Sequence, residues 1–185
     1  MKKQFDGLLK KAMWIAIILF VIRTALSWEE LKAAASIYTV FGYAGEAIGV
    51  AVVLMVCYEK CLWRYDPFVK TPYIAGEYTG TLISEYDRTE RNGILKIKQT
   101  FLSVEVSLKT EESKSRSVSG TIEEILGKPE LIYTYLNEPG SGVRERSAIH
   151  FGTAMIVIDD KDHMVGRYYT DRSTSGDMIF TKVEK

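Results

Sequence analysis

The pattern of apolar and polar positions changes once along the chain, near residue 70. Before that point apolar residues run together in two long stretches. "AMWIAIILFVIRTALSW" covers residues 12–28, and "IYTVFGYAGEAIGVAVVLMVCY" covers residues 37–58. At about 1.5 Å per residue the second stretch is roughly 33 Å long, enough for a hydrocarbon layer of about 30 Å. Two such stretches in succession predict a membrane-embedded helical hairpin. A cleavable leader is the competing reading of the start, because Lys2, Lys3, Lys10 and Lys11 precede an apolar run. The residues around Ser27 make a poor cleavage site, and a second apolar stretch follows at once.

After Pro72 the period falls from 3.6 to 2. In "LSVEVSLKT", Leu102, Val104, Val106 and Leu108 share one face, while Ser103, Glu105, Ser107 and Lys109 share the other. Short runs of this kind predict strands over 76–86, 93–100, 102–110, 115–124, 130–137, 147–159, 164–170 and 177–183. Turn signals separate them: Asn92-Gly93, Gly127-Lys128-Pro129, Pro139-Gly140 and the acidic run that starts at Asp159-Asp160. The expected fold is therefore two N-terminal transmembrane helices followed by an all-β domain. Eight antiparallel strands favour an up-and-down β-barrel over a sandwich. The expected division is 1–65 for the hairpin, 66–72 for a linker holding Pro67 and Pro72, and 73–185 for the barrel.

Charge sets the orientation. The 185 residues carry 24 basic and 24 acidic side chains. Residues 1–70 hold nine Lys/Arg and six Asp/Glu, leaving fifteen and eighteen for the rest, so the two parts differ by +3 against −3. Neither part is basic enough for a nucleic-acid polymer. Four lysines precede the first stretch, and Lys60, Arg64 and Lys70 follow the second. Only Lys32 lies between them. The positive-inside rule then puts both termini and the barrel in the cytoplasm.

Glu46 interrupts the second stretch. A carboxylate there costs about 2.5–3.5 kcal/mol on insertion scales and is expected to face protein or water. Gly45 and Gly49 flank it as a GxxxG pair, which permits close helix approach. One reading pairs Glu46 with Arg23 inside a single hairpin. The other makes Glu46, Gly45 and Gly49 a face that meets further copies and admits water.

Signatures of an enzyme are missing. No Walker A, G-x-S-x-G or H-E-x-x-H motif occurs, and the β-rich part has two histidines and no cysteine. A zinc site lacks ligands, and no cofactor is expected. Cys57 and Cys61 read as a membrane-edge pair. His163 falls in a turn, and His150 reads as a core histidine ahead of a ligand contact. Three residues fit recognition instead. Tyr78 sits between Gly76 and Gly80, where a flat ligand could stack on its ring; the alternative is a core tyrosine beside barrel-bending glycines. Thr110 continues the inward set of Val104, Val106 and Leu108 to the barrel mouth. Arg172 shares the parity of Gly166, Tyr168 and Thr170 and suits bidentate phosphate binding, or else pairs with Asp171 or Asp177.

The segments "GEYTGTLIS", "IKQTFLSVEVSLKTEESKSRS", "LIYTYLNEP", "IHFGTAMI" and "VGRYYTDRSTSGDM", behind two apolar stretches, resemble the two-transmembrane β-rich effectors of CBASS. These act in bacterial antiphage systems built around cGAS-like nucleotidyltransferases. The resemblance covers essentially the whole chain. It implies a non-enzymatic receptor whose barrel binds a cyclic dinucleotide, oligomerises and disrupts the inner membrane in abortive infection. It also implies that Tyr78 is a base-stacking platform, Thr110 a polar contact and Arg172 the phosphate clamp. Tyr78 stands where tryptophan is expected in many members. Two rivals remain: a membrane-tethered barrel for a lipid or other small molecule, with an apolar cavity lacking Arg at its mouth, and a structural adaptor with a filled interior.

Overall fold

A computed structural model of the chain describes residues 2–33, 36–145 and 147–183. It divides into two compact units, Met1–Pro67 and Phe68–Lys185.

The first unit is helical: α1 (Lys2–Leu26), α2 (Trp28–Ala33) and α3 (Ile37–Lys60), followed by a short 3-10 turn over Leu62–Tyr65. α1 packs against α3. Ser36 caps α3, its extended backbone letting Oγ accept from the Tyr38 N–H at 3.3 Å. Among the described residues α3 alone is long and apolar enough to cross a membrane. The other expected span lies mostly in α1, where Lys10, Lys11 and Arg23 dilute the apolar run.

The second unit is a closed barrel of eight antiparallel strands in sequence order. They are β1 (Gly76–Ser84), β2 (Glu90–Gln99), β3 (Val104–Thr110), β4 (Ser113–Ile125), β5 (Lys128–Pro139), β6 (His150–Ile158), β7 (His163–Thr170) and β8 (Ser175–Lys182). The closing seam pairs β1 with β8. Alternation does the sorting, as the spacing predicts: Leu95, Ile97, Val106 and Leu108 point inward and are buried. In β4 the alternation slips between Ser117 and Ser119. The Ser117 hydroxyl there accepts the Val106 N–H at 2.8 Å, supplying an acceptor where the ladder is interrupted.

One turn signal is corrected. Asn92-Gly93 is not a turn but lies inside β2, and the strand begins at Glu90. Gly93 is paired with Gly80. Both face the interior, where a Cβ on Gly93 would stand 3.0 Å from Leu82 and Leu108 methyl groups. The glycine therefore serves close packing. The chain actually reverses after Ser84, where Arg88 takes a φ of 51° and Asp87 Oδ1 accepts the Thr89 N–H at 3.0 Å.

The barrel end at which β1 begins is shut. Ile74, just ahead of β1, is fully buried with the core. The Gln99 amide holds it: Oε1 accepts the Ile74 N–H at 2.8 Å, and Nε2 donates to the Pro72 carbonyl at 2.9 Å. Tyr78 closes the same end. Its hydroxyl donates to the carbonyls of Ile74 at 2.8 Å and Lys161 at 3.1 Å.

Candidate functional site: the open mouth of the barrel

At the other end the barrel opens into a cavity of about 360 Å³. Leu82, Leu108 and Met178 form part of its wall, and Tyr135 and Tyr168 give it an aromatic floor. Both rings owe their position to glycines directly opposite on neighbouring strands. Tyr135 pairs with Gly152 and Tyr168 with Gly176. A methyl group on Gly152 would stand 2.4 Å from Tyr135 Cζ, and one on Gly176 would stand 2.6 Å from Tyr168 Cε1. Each ring lies across the space a side chain would otherwise fill. Burial raises the pKa of both phenols. At Tyr168 a hydrogen bond with Ser84 and the positive charge of Arg91 oppose that rise.

The rim is polar. Thr110, at the end of β3, closes the β3–β4 turn: its hydroxyl oxygen accepts the N–H groups of Glu112 at 3.3 Å and Ser113 at 3.0 Å. Thr170, at the end of β7, does the same for the β7–β8 turn, with the Thr174 N–H at 3.3 Å and the Thr174 hydroxyl at 2.6 Å. Arg172 leaves that turn and donates from Nη1 to Ser147 Oγ at 3.0 Å, reaching the long β5–β6 connection. Arg91, from β2, is held by Asp87 and Glu112, with Nη2–Oδ2 and Nε–Oε2 distances of 2.5 and 3.4 Å. Arg91 keeps the Asp87 carboxyl well below the usual carboxylate range, chiefly through that hydrogen bond.

Thr110 and Arg172 thus line one cavity. Tyr78 does not join them, and the stacking role expected of it is corrected. Its inward parity is as expected, but its depth is not. The ring has no exposed surface, it belongs to the closed end, and burial pushes its hydroxyl pKa up to about 12. It is the core tyrosine of the alternative reading. His150 is corrected in the opposite sense, since it lines the cavity. Its Nδ1 lies 2.9 Å from the Ala148 carbonyl, which can only accept, so Nδ1 carries a proton. Sequence reading missed Arg91, Tyr135, Asn137 and Tyr168. The signal for Tyr135 and Asn137 was available: they continue the inward alternation of Leu131 and Tyr133.

In the helical unit, Arg23 Nε donates to Glu46 Oε2 at 2.9 Å, so the two charges meet within one chain. The Arg23 guanidinium also stacks over Tyr43, 4.3 Å from the ring centroid, and hydrogen-bonds Ser27. A Cβ added at Gly42, Gly45 or Gly49 would meet nothing within 4 Å, so this helix face is not packed against described residues. Cys57 and Cys61 are free thiols. No cluster of metal-ligating side chains occurs among the described residues.

The chain is similar along its whole length to a CD-NTase-associated protein 15 of Staphylococcus schleiferi, at 27% identity covering all of both chains. It is 31% identical to a CD-NTase-associated protein 15 of Yersinia aleksiciae, over 91% of this chain and 85% of that one. The family model described as "Cap15, cyclic dinucleotide receptor domain" matches residues 69–182, which take in every strand of the barrel and the whole rim of the cavity. The chain belongs to the Cap15 cyclic-dinucleotide-receptor family.

Proposed function

We propose that this protein is a CBASS effector: its barrel binds a cyclic dinucleotide at the open mouth, and its helices act on the inner membrane. The observation that carries the reading is the cavity itself. It lies in the segment that matches the receptor domain, and its volume falls within the roughly 300–1,000 Å³ usual for small-molecule sites. An aromatic floor suits bases, and an arginine with threonine turns at the rim suits phosphates and ribose hydroxyls. In this reading Arg172 clamps a phosphate and Thr110 is a polar contact. The ligand comes from a cGAS-like nucleotidyltransferase. The protein itself is a receptor and performs no chemistry on the ligand.

The cavity's chemistry supports this reading over the two rivals. A lipid carrier needs an apolar pocket without arginine at the mouth, yet two arginines line this one. An adaptor needs a filled interior, and here the packed core stops short of the open end.

The test uses the full chain in detergent micelles, titrated calorimetrically with 3′,3′-linked cyclic dinucleotides of purine–purine, purine–pyrimidine and pyrimidine–pyrimidine composition, together with a cyclic trinucleotide. Saturable binding of at least one dinucleotide is expected. Silence across the panel, with circular dichroism showing an intact barrel, sinks the reading.

The membrane half of the proposal has α1 and α3 spanning as a hairpin, with both termini and the barrel cytoplasmic. Ligand binding gathers several copies, and the gathered helices breach the bilayer. At rest the Arg23–Glu46 pair matches charge within one chain, so a lone copy does not present Glu46 unpaired to lipid. In the gathered state Gly45 and Gly49 let helices approach, and Glu46 side chains line a wet seam. Glu46→Leu is then expected to bind nucleotide and reach the membrane, yet fail to admit a membrane-impermeant dye when the partner synthase is induced. Glu46→Gln is expected to be intermediate. Full dye entry with Glu46→Leu would show that the breach does not use this side chain.

A further inference from the structure

The mouth of the barrel is built twice. In a closed barrel of eight strands in sequence order, the β3–β4 and β7–β8 turns lie four strands apart, on opposite sides of the opening. Each is a tight reversal closed by the hydroxyl of a threonine that ends the incoming strand, Thr110 on one side and Thr170 on the other. Each also has a guanidinium beside it. Arg172 emerges from the β7–β8 turn itself, and Arg91 reaches Glu112 of the β3–β4 turn at 3.4 Å. Both arginines line the cavity.

A cyclic dinucleotide carries two phosphates on opposite sides of one ring, so a site with a single cation would leave one of them unmatched. We propose that Arg91 is the second phosphate-binding group of the mouth, and that Glu112 holds its place until the ligand arrives. The inference rests on the receptor reading above and adds the partner for the second phosphate.

The two carboxylates on Arg91 are not equivalent. Asp87 takes the outer edge of the guanidinium, with Nη2–Oδ2 at 2.5 Å and Nη1–Oδ1 at 3.3 Å, and it lies in the β1–β2 turn four residues before Arg91. This contact fixes the plane of the fork. Glu112 accepts from Nε, at the longer distance of 3.4 Å. Asp87 is therefore the positioning residue, and the Nε side is where an incoming phosphate oxygen can replace a carboxylate oxygen. A guanidinium presents a planar fork that fits either group. Around the cavity Arg91 and Arg172 are balanced by Asp87 and Glu112, so the lining has no excess positive charge before its half-buried histidine is considered. A dianion is taken up only if it offers Arg91 more than Glu112 does. One phosphate engaged at Arg172 places the second across the mouth, whereas a mononucleotide has none to place there. Displacement of Glu112 is thus a filter for a ligand with two phosphates.

The test compares variants of the full chain in detergent, titrated with whichever 3′,3′ cyclic dinucleotide the wild type binds most tightly. Arg91→Gln is expected to weaken binding by about tenfold to a hundredfold, the range for a lost charge-assisted contact. Glu112→Gln keeps the shape and removes the competing charge, and it is expected to tighten binding by about threefold to tenfold. Wild-type affinity in a folded Arg91→Gln overturns the inference. So does unchanged or weaker binding by Glu112→Gln, which decides the matter alone if Arg91→Gln does not fold. If the wild type binds no member of the panel, the receptor reading itself fails, an outcome distinct from either variant result.

Discussion

Replacing Arg172 with alanine is expected to weaken cyclic-dinucleotide binding by about a hundredfold, the upper end for a hydrogen bond to a charged group. The effect has two sources. The guanidinium is the only charged group among the described residues of the β7–β8 turn that lines the cavity, so no neighbour in that turn replaces it. It also ties the turn to the β5–β6 connection through Ser147 at 3.0 Å, and that connection supplies Val143 to the lining. Arg172→Lys keeps the charge but loses the planar fork, and it is expected to retain part of the affinity. Arg144→Ala serves as the peripheral control, since its Nε turns to the Pro139 carbonyl at 3.4 Å and it is not in the lining. Calorimetric titration of the three variants should place Arg172→Ala weakest, Arg172→Lys between, and Arg144→Ala near wild type. Equal affinity in all three would remove Arg172 from the site.

Gly80→Ala is expected to be the most damaging single methyl group in the barrel, costing about 3 kcal/mol or preventing folding. A Cβ at Gly80 would stand 1.9 Å from the Ile179 carbonyl oxygen and 2.7 Å from Phe180 Cδ1. The first obstacle is backbone across the β1–β8 seam, and the second is a core ring with no exposed surface. Neither can swing aside as a flexible surface side chain would. Relief requires opening the seam, which breaks ladder hydrogen bonds. Gly142→Ala is the matched control, because nothing lies within 4 Å of its Cβ position. Chemical denaturation of both variants, followed by the near-ultraviolet signal of the buried tyrosines, separates the cases. A midpoint for Gly80→Ala equal to wild type would mean that the seam yields more easily than its geometry implies.

The barrel is legible in the sequence because its signal is local. Inward and outward residues alternate along the strands, as in Val104 to Thr110, except at the slip in β4, and water sorts the two faces. Depth along a strand is a different matter. Tyr78 and Thr110 both face inward, but one sits at the shut end and the other at the mouth. Alternation carries no information about which end of the barrel is plugged by the residues just ahead of β1. Only the placement of Ile74 and Gln99 settles it. The same limit explains Arg91. Read as part of an Asn-Gly turn, it falls outside any strand. Once Gly93 is seen to pair with Gly80 inside the barrel, Arg91 acquires inward parity and a place on the rim. Glycine does make room for aromatic rings in this barrel, but for Tyr135 and Tyr168 rather than for Tyr78. Gly152 and Gly176 serve Tyr135 and Tyr168, and those pairings cross between strands, where a linear reading does not see neighbours.

The seam between β1 and β8 also fixes an order of events during synthesis. β1 has an unsatisfied edge from the moment it leaves the ribosome until Ser175–Lys182 follows, with six other strands made in between. The contact that completes the sensor is thus among the most distant in the chain, and folding of such long-range pairings is slow. The apolar α3 is made before any strand, so it can be delivered to a bilayer while the barrel is still open. A nascent chain that has not yet reached β8 has no finished mouth. The mouth therefore takes shape only after the apolar α3 has been made.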